Sequence, residues 1–181
     1  MKSIGTLLLA AAVLTACNPQ PLRRNSAPTP SPSPQGVPPL KISGRGTAQS
    51  PVRTFEQSGN RKIYELLARS YVSRSAHNVA QATFHEATVT FFDKDGSSLT
   101  AQAPQAAVDE RTKQVTLSGG VQAHTSTGAT LTCDHLTYDR RTSMLAGSGS
   151  VRMTAGQNGS REVLTGNTFT SDIKLTRMVM K

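Results

Sequence analysis

Apolar and polar residues alternate in short runs along most of the chain after residue 40. One run places Val115, Leu117 and, past two glycines, Val121 at alternate positions with polar residues between them. A period of two residues is typical of a β-strand that buries one face. Runs with helical spacing are few, and Thr, Ser, Val, Ala and Gly are common. The pattern therefore predicts an all-β domain.

The clearest run occurs twice. Residues 108–121 align without a gap with residues 138–151, and Asp, Arg, Thr, Ser, Gly and Val recur at matching positions. A fixed period of about 30 residues indicates stacked units that each bury one face against the next. In each unit an Asp-x-Arg-Thr segment predicts a turn, because an Asp side chain can accept hydrogen bonds from backbone amides two residues on. Each unit is therefore predicted to be a β-hairpin.

Flanking segments extend the strand prediction. Residues 60–75 could form a short helix or a strand by propensity, and we interpret them as a strand because a weak echo of the repeat falls within them. Residues 87–92 predict a strand that ends in an Asp-Lys-Asp-Gly turn. Further turns are predicted at residues 125–128 and 156–159. Residues 170–180 alternate again and are predicted to form one long final strand.

The first forty residues have a different character. Residues 1–17 combine a lysine, an apolar run too short to span a bilayer and a Leu-Thr-Ala-Cys end, which is typical of a secretory signal. This end resembles the lipobox of bacterial lipoproteins, in which the cysteine, here Cys17, becomes lipid-modified and the mature N-terminus. The alternative is a plain signal peptide in which Cys17 is incidental. Residues 18–40 hold most of the ten prolines and predict an extended tether before a single domain at residues 41–181.

The residues that could carry chemistry do not form an enzyme motif. Cys133 occupies an inward position of the repeat, which favours a small buried thiol over a nucleophile. If Cys17 is lipidated, Cys133 has no partner for a disulfide. The four histidines lack the spacing of metal ligands, and a nucleophile elbow, a phosphate-binding loop and a paired-carboxylate signature are missing. We therefore predict no enzymatic activity, no cofactor and no metal.

The chain is basic, with a formal net charge of +9, and few of its residues are aromatic. A basic exported protein favours anionic partners such as phosphorylated lipids. Scarce stacking aromatics and the predicted export argue against nucleic acid. Four cations in the repeat turns are candidate phosphate or anion contacts, with simple solvation of the turns as the alternative: Arg111, Lys113, Arg140 and Arg141.

Together the anchored N-terminus, the proline-rich spacer and the repeat resemble the LptC family of lipopolysaccharide export proteins. The pattern Leu/Val-x-Leu-x-Gly-x-Val, a glycine turn and residues 131–139 carry the likeness. It runs from about Tyr64 to the C-terminus and is best over residues 99–172. The relatives LptA and the periplasmic part of LptD, the OstA-like group, share the repeat. The family usually has a transmembrane helix at the place where this chain has a lipobox.

The resemblance implies an open, V-shaped β-jellyroll whose groove holds the acyl chains of a lipid. The expected partners are lipopolysaccharide or another anionic lipid, an LptA-like or OstA-like periplasmic protein at the C-terminal edge, and an inner-membrane ABC transporter of the Lpt type at the N-terminal edge. The expected location is the periplasmic side of the cell envelope, with a lipid anchor in the inner membrane, which the resemblance favours, or alternatively in the outer membrane. The alternative is a structural envelope lipoprotein with a closed core, which binds glycan or protein without carrying lipid.

Two sets of candidate residues follow. The period of two places nine apolar residues on the inward face, where they would form the core and, in a lipid conduit, line the groove: Phe91, Val115, Leu117, Val121, Leu131, Val151, Phe169, Ile173 and Leu175. Four residues of the predicted last strand are assigned to an edge that pairs with a partner's strand: Lys174, Thr176, Arg177 and Met178. The two cations among them are also the usual protection of a solitary edge, which is the alternative interpretation.

Overall fold

The computed structural model describes residues 40–76, 79–156 and 162–181. The predicted signal, nearly all of the predicted tether and most of the turn predicted at residues 156–159 lie outside these ranges. Within them the chain forms ten strands and no helix: β1 Leu40–Arg45, β2 Val52–Ser58, β3 Arg61–Ala76, β4 Val79–Phe92, β5 Ser98–Asp109, β6 Gln114–Thr125, β7 Thr130–Asp139, β8 Met144–Ala155, β9 Glu162–Asp172 and β10 Val179–Met180. The strand predictions for residues 60–75 and 87–92 are confirmed by β3 and β4.

The two repeated units are hairpins, as predicted. In the β5–β6 turn, Asp109 Oδ1 accepts hydrogen bonds from the amides of Arg111 and Thr112, at 2.8 and 3.0 Å. In the β7–β8 turn, the equivalent Asp139 Oδ1 accepts a hydrogen bond from the amide of Arg141 at 2.8 Å. These side-chain bonds fix the turn because they replace backbone partners that the reversing chain cannot supply.

All the described strands join one antiparallel sheet. Its order is β1-β3-β4-β5-β6-β7-β8-β9-β10, with β2 also paired to β3. The long β3 accommodates both strands on the same side, because β2 pairs with residues 61–68 and β1 with residues 70–75. Strands that are neighbours in sequence are therefore neighbours in the sheet from β3 to β10. The all-β, jellyroll-like architecture is as predicted.

A line of pairing irregularities crosses the sheet. Register shifts lie between Gln102 and Gln105, between Ser118 and Val121, and at equivalent points of the next two strand pairs. Bulges of this kind bend the strand that carries them and increase its twist. Because the bulges line up across the sheet, they fold it in two along one line, which we call the crease.

The crease divides the sheet into two half-sheets that pack face to face. The first contains residues 52–68, 87–103, 121–133, 151–156 and 162–166, and the second contains residues 40–45, 70–76, 79–85, 105–118, 135–148 and 168–172. Their inward side chains form one buried hydrophobic cluster. The ring centroid of Phe91, in the first half-sheet, lies 4.6 Å from that of Tyr138, in the second. The hairpin turns that the structure describes in both half-sheets lie at the edge away from the crease, which we call the mouth.

The spacing of buried residues changes at the crease, and this change keeps one face inward along each whole strand. In β5 the buried Ala103 is followed by the buried Ala106, an interval of three residues. In β6 the interval from Leu117 to Val121 is four residues. There Gly119 has a φ of +93°, a left-handed conformation that favours glycine. In β5 a strict alternation would have turned the core face outward after the bulge, whereas the interval of four in β6 skips Gly119 and keeps the alternation.

The prediction of one long final strand over residues 170–180 is wrong. β9 ends at Asp172, the chain turns through residues 173–178, and β10 returns to pair with β9. Val179 is the partner of Thr170 in this antiparallel pairing. Part of the last sheet edge is therefore covered by the chain's own C-terminus.

Asp172 is the physical reason for this turn. Its carboxylate accepts hydrogen bonds from the amide and the hydroxyl of Thr176, at 2.8 and 2.6 Å, and Leu175 adopts a left-handed φ of 59°. Ile173 and Leu175 are buried in the core, so the turn has the same alternation of apolar residues as a strand. The four residues predicted for a partner edge lie in this turn instead: Lys174, Thr176, Arg177 and Met178.

Candidate functional site

The interior between the half-sheets is the candidate site. The nine predicted groove residues all lie in it, none more than 4% exposed: Phe91, Val115, Leu117, Val121, Leu131, Val151, Phe169, Ile173 and Leu175. The same core contains large residues that the sequence analysis did not select: Leu66, Leu99, Leu136, Tyr138 and Leu145. The period of two could have found them, since each lies on an alternating strand position. Contact of any of these residues with lipid stays a prediction.

The inward face of the first half-sheet is continuous from one edge to the other. Directly opposite residues on successive strands form an unbroken row: Thr54, Leu66, Val89, Ala101, Ala123, Leu131, Met153 and Leu164. Opposite residues of an antiparallel pair point to the same side of the sheet. A nearly unbroken apolar stripe therefore runs the length of the domain, perpendicular to the strands.

The inward face reaches the surface at both ends of the sheet. Leu164, at the C-terminal end of the row in the first half-sheet, is 46% exposed. At the N-terminal end, Leu40 and Ile42 of β1 are also exposed. Both share a face of β1 with Gly44, since alternate residues of a strand point to the same side. Gly44 is opposite Tyr71, which packs on the core, so this is the inward face of the second half-sheet. Apolar side chains thus extend beyond the closed core in both directions.

Arg140 lies at the mouth, between the two half-sheets, and its side chain is 3% exposed. Its Nη1 pairs with the carboxylate of Glu56, in β2 of the first half-sheet. Nη1 and Nη2 each lie 3.2 Å from a carboxylate oxygen of Glu110, in the β5–β6 turn, and Nη2 also donates to the carbonyl oxygen of Asp109 at 3.2 Å. The guanidinium is 5.9 Å from the ring centroid of Tyr64, in the first half-sheet. Arg140 therefore contacts both half-sheets.

The electrostatics of this cluster favour an ion pair. Burial alone lowers the pKa of Arg140, but hydrogen bonds with Glu110 and Glu56 more than offset it and raise the pKa. Burial raises the pKa of Glu110, but the opposing effect of Arg140 and Lys113 is larger. The net pKa of this carboxyl is therefore lower than usual. Burial raises the pKa of Tyr64 to about 12, against the lowering effect of Arg140. At neutral pH Arg140 and Glu110 are charged and Tyr64 is neutral.

A second ionic contact crosses the mouth. Lys174, in the turn after β9, places its Nζ 3.0 Å from a carboxylate oxygen of Asp95 and 3.8 Å from one of Asp93. Both aspartates lie in the turn between β4 and β5, which belongs to the first half-sheet. The neighbouring Ile173 and Leu175 are buried in the shared core, so the C-terminal turn closes the interior at this point.

The other cations predicted to contact anions are partly engaged within their own turns. Lys113 pairs with Glu110 at 3.1 Å, and Arg141 pairs with Asp139 at 3.1 Å. Arg111 is exposed on the same turn as Lys113. Anion binding by these residues stays a prediction.

Cys133 is buried, as predicted, with 4% of its surface exposed. Burial, with a smaller contribution from Asp134, raises the pKa of its thiol to about 11. The thiol is therefore protonated at neutral pH and a poor nucleophile. In the described ranges no group of His, Cys, Asp and Glu side chains is arranged to hold a metal ion.

From the sequence, Arg140 is a candidate anion contact, with solvation of its turn as the alternative, and its partners Glu56 and Glu110 were missed. The repeat contained part of the signal, because Glu110 and Arg140 occupy equivalent positions of the two units. Opposite charges at equivalent positions of stacked hairpins are close in space. Glu56, by contrast, is 84 residues from Arg140 in sequence, and no local pattern links the two.

Comparison with known proteins connects this fold to a family. A family model described as "Lipopolysaccharide-assembly, LptC-related" matches residues 8–181, which is nearly the whole chain. The comparison with curated proteins found no match. The described part of the chain contains no helix with the length and apolar character of a membrane span.

Proposed function

We propose that this chain, which belongs to the LptC-related family of lipopolysaccharide-assembly proteins, is a membrane-anchored component of a lipid-export bridge and holds acyl chains between its half-sheets. The family acts in lipopolysaccharide transport at the periplasmic side of the cell envelope and is not an enzyme family. The basic charge of the chain, +9 formally, supports an anionic cargo such as lipopolysaccharide.

One observation carries the proposal of a lipid path. The inward face forms an almost entirely apolar stripe across the first half-sheet and ends at the exposed Leu164, and the opposite end of the sheet exposes Leu40 and Ile42. An acyl chain gains about 0.8 kcal/mol for each CH₂ group that it buries. An apolar interior with exposed apolar side chains at both ends of the sheet supports the passage of such chains from one neighbouring protein to the next.

Two adjacent residues of β9 provide a matched test of the path. Leu164 faces inward and Val163, opposite Thr154, faces outward, yet each is 46% exposed. A photoreactive amino acid at Leu164 should crosslink to lipopolysaccharide in the cell envelope, and the same group at Val163 should not. Equal crosslinking from both positions, or none from Leu164, would contradict the lipid path.

The closed core favours a second candidate function. The large apolar residues of the interior are almost fully buried, and Phe91 packs against Tyr138 at the mouth, as expected of a structural envelope protein that binds glycan or protein without carrying lipid. The crosslinking pair separates the two candidates. A structural protein gives no lipid adduct from Leu164 under conditions in which a conduit does.

The sheet edges support pairing with neighbouring proteins. In the described ranges, β1 and β2 form one edge, and β10 covers only residues 167–170 of the other, through pairing and the hydrogen bonds of Lys181. The stretch Glu162 to Gly166 of β9 is therefore left as an edge that another strand can extend. We assign this stretch to an LptA-like partner, and β1 and β2 to a transporter of the Lpt type.

Proline substitution tests the C-terminal edge. Amide groups alternate between the two sides of a strand, so of the variants Val163→Pro and Leu164→Pro one removes a donor from the free side and the other a donor to β8. The variant that removes a donor from the free side should lose capture of an LptA-like protein, while its circular dichroism stays β-type. Undiminished capture by both folded variants would count against this edge.

The predicted anchor has its own test. We propose that Cys17, at the end of the lipobox-like segment Leu-Thr-Ala-Cys, carries the lipid. The multiple acyl chains of a bacterial lipoprotein would make this attachment stable, whereas a single chain anchors weakly. Cys17→Ser should leave an unprocessed or soluble protein in fractionated cells. Mass spectrometry that finds a mature N-terminus elsewhere, without lipid, would contradict the anchor.

A further inference from the structure

We propose that the Arg140–Glu56 ion pair is a latch that holds the mouth shut and controls the access of lipid to the interior. The proposal rests on the proposed lipid-binding function, and it identifies the place where the interior opens.

The contacts of Arg140 divide unequally between the half-sheets. Within the second half-sheet, its guanidinium is held by both carboxylate oxygens of Glu110 and by the carbonyl oxygen of Asp109, each at 3.2 Å. Toward the first half-sheet it has one ion pair, with Glu56, and the ring of Tyr64. Arg140 thus belongs to the second half-sheet and reaches across the mouth with one charged contact.

This division allows the pair with Glu56 to break without leaving an uncompensated buried charge. Breaking a buried ion pair is costly when one charge remains without a partner. Here Arg140 keeps its two-pronged pair with Glu110, of the kind that binds arginine most strongly. Glu56 has a side chain that is 32% exposed, so water can solvate it after separation. The Nε group of Arg140, buried without a partner among the described residues, would also gain water.

The other contacts across the mouth are compatible with opening at the same place. Lys174 reaches Asp95 through an ion pair between partly exposed side chains, and such pairs contribute little to stability. Apolar contacts, among them Phe91 against Tyr138, also join the half-sheets, and an acyl chain can replace one apolar neighbour by another. The mouth is therefore held by groups that a lipid or water can substitute.

Two carboxylates on the same arginine provide the test. Glu56→Gln and Glu110→Gln each remove one negative charge from Arg140, but only Glu56 belongs to the opposite half-sheet. Hydrogen exchange of the lipid-free protein is measured in both variants. Exchange at the mouth, in residues 89–92 and 136–139, is expected to be about tenfold faster in Glu56→Gln, since the lost charged hydrogen bond crosses the opening. It is expected to be nearly unchanged in Glu110→Gln.

The pattern along the chain distinguishes opening of the mouth from general destabilisation. Segments beside the crease, such as residues 101–103, should exchange at the wild-type rate in Glu56→Gln. Glu56→Asp, which retracts the carboxylate but keeps its charge, should show the same local pattern with a smaller increase. Equal effects of the two Gln variants, or faster exchange everywhere in Glu56→Gln, would overturn the latch.

Lipid uptake completes the test. Purified lipopolysaccharide is mixed with protein that carries the photoreactive group at Leu164, and the rate of crosslinking is followed. Glu56→Gln should form the adduct several-fold faster than Glu110→Gln. Equal rates with a normal adduct yield would overturn the latch alone, whereas no adduct from the wild-type chain would instead count against the proposed function.

Discussion

The crease and the mouth are the two long margins of the folded sheet, and they join the half-sheets by different means. At the crease the strands β3 to β9 run from one half-sheet into the other, and side chains fit closely around the bulges. A Cβ atom on Gly149 would lie 2.2 Å from Asp134 Oδ2, and one on Gly119 would lie 3.3 Å from Pro104. At the mouth the half-sheets meet through side chains, including the pair of Arg140 with Glu56.

This difference indicates which margin can move. Separation at the crease would require rupture or unbending of several continuous strands, each held by its ladder of hydrogen bonds. Separation at the mouth requires the exchange of apolar contacts and a few ion pairs, most of them partly exposed. The crease can therefore act as a hinge while the mouth opens, and substitutions at the two margins should have separate effects.

The largest effect is expected from the apolar contact at the mouth. Phe91→Ala removes a fully buried ring that packs on Tyr138, and such truncations cost about 3–5 kcal/mol of unfolding free energy. Phe92→Ala is the matched control, because Phe92 is adjacent in β4 but only half-buried, on the outward face. Urea unfolding should show a much smaller loss for Phe92→Ala. A similar loss in both variants would contradict the assignment of faces in β4.

An effect of intermediate size is expected at the crease. Gly149→Ala places a methyl group against Asp134 at a residue with a φ of +78°, and strain of this kind costs about 1–3 kcal/mol. Gly120→Ala is the control, since Gly120 has a φ of +93° but open space around its Cβ position. Thermal unfolding should place Gly149→Ala below Gly120→Ala. The reverse order would show that the packing at the bulge contributes little.

The sequence predicted the hairpins because their signals are local. The Asp-x-Arg-Thr turns and the period of two lie within a few residues of the bonds that they determine, such as Asp109 with the amide of Arg111. The crease was not predicted, although Gly119 and Gly120 mark it in β6. In β6 the interval of four from Leu117 to Val121 keeps the alternation intact, and in β5 the shift of one residue between Ala103 and Ala106 looks the same as an irregular alternation.

The C-terminal turn and the cluster at the mouth were missed for different reasons. Ile173 and Leu175 are separated by one residue, as in a strand, and only the bonds of Asp172 with Thr176 make the segment turn. The burial of Arg140 depends on Glu56, which comes from a distant strand that the fold brings close. The candidate interior was predictable as a face, and its closure depends on contacts between elements far apart in sequence.

Acid should weaken the mouth before it affects the crease. Burial raises the pKa of Glu110, but hydrogen bonds and charge interactions with Arg140 and Lys113 outweigh burial and bring the pKa below its ordinary value of 4.5. Hydrogen bonds from Ser97, and then from Lys174, lower the pKa of Asp95 below its ordinary value of 3.8. Because these folded-state values are depressed, the stability that the two groups contribute is present above about pH 4.5 and is lost as the pH falls through the folded values.

The urea midpoint should therefore fall between about pH 5 and pH 3, and hydrogen exchange should accelerate first around Asp95, whose pair with Lys174 crosses the mouth. The Glu110→Gln variant is the control, since it lacks one of the titrating groups and should lose less stability over the same range. A midpoint that is flat with pH, or equal losses in the variant and the wild-type chain, would show that the carboxylates at the mouth do not stabilise the fold.

The smallest effect is expected from the second ionic contact across the mouth. Lys174→Gln removes the charge that faces Asp95 and Asp93, and ion pairs between exposed groups contribute little to stability. Lys94→Gln, at an exposed position between the same two aspartates, provides the control for a change in net charge alone. Lys174→Gln should be less stable than Lys94→Gln in low salt, and the difference should vanish in about 1 M salt, where charges are screened within about 3 Å. A difference that persists in high salt would mean that the Lys174 stem stabilises the mouth by packing, and the C-terminal turn would then have to be displaced as a whole before the mouth could open.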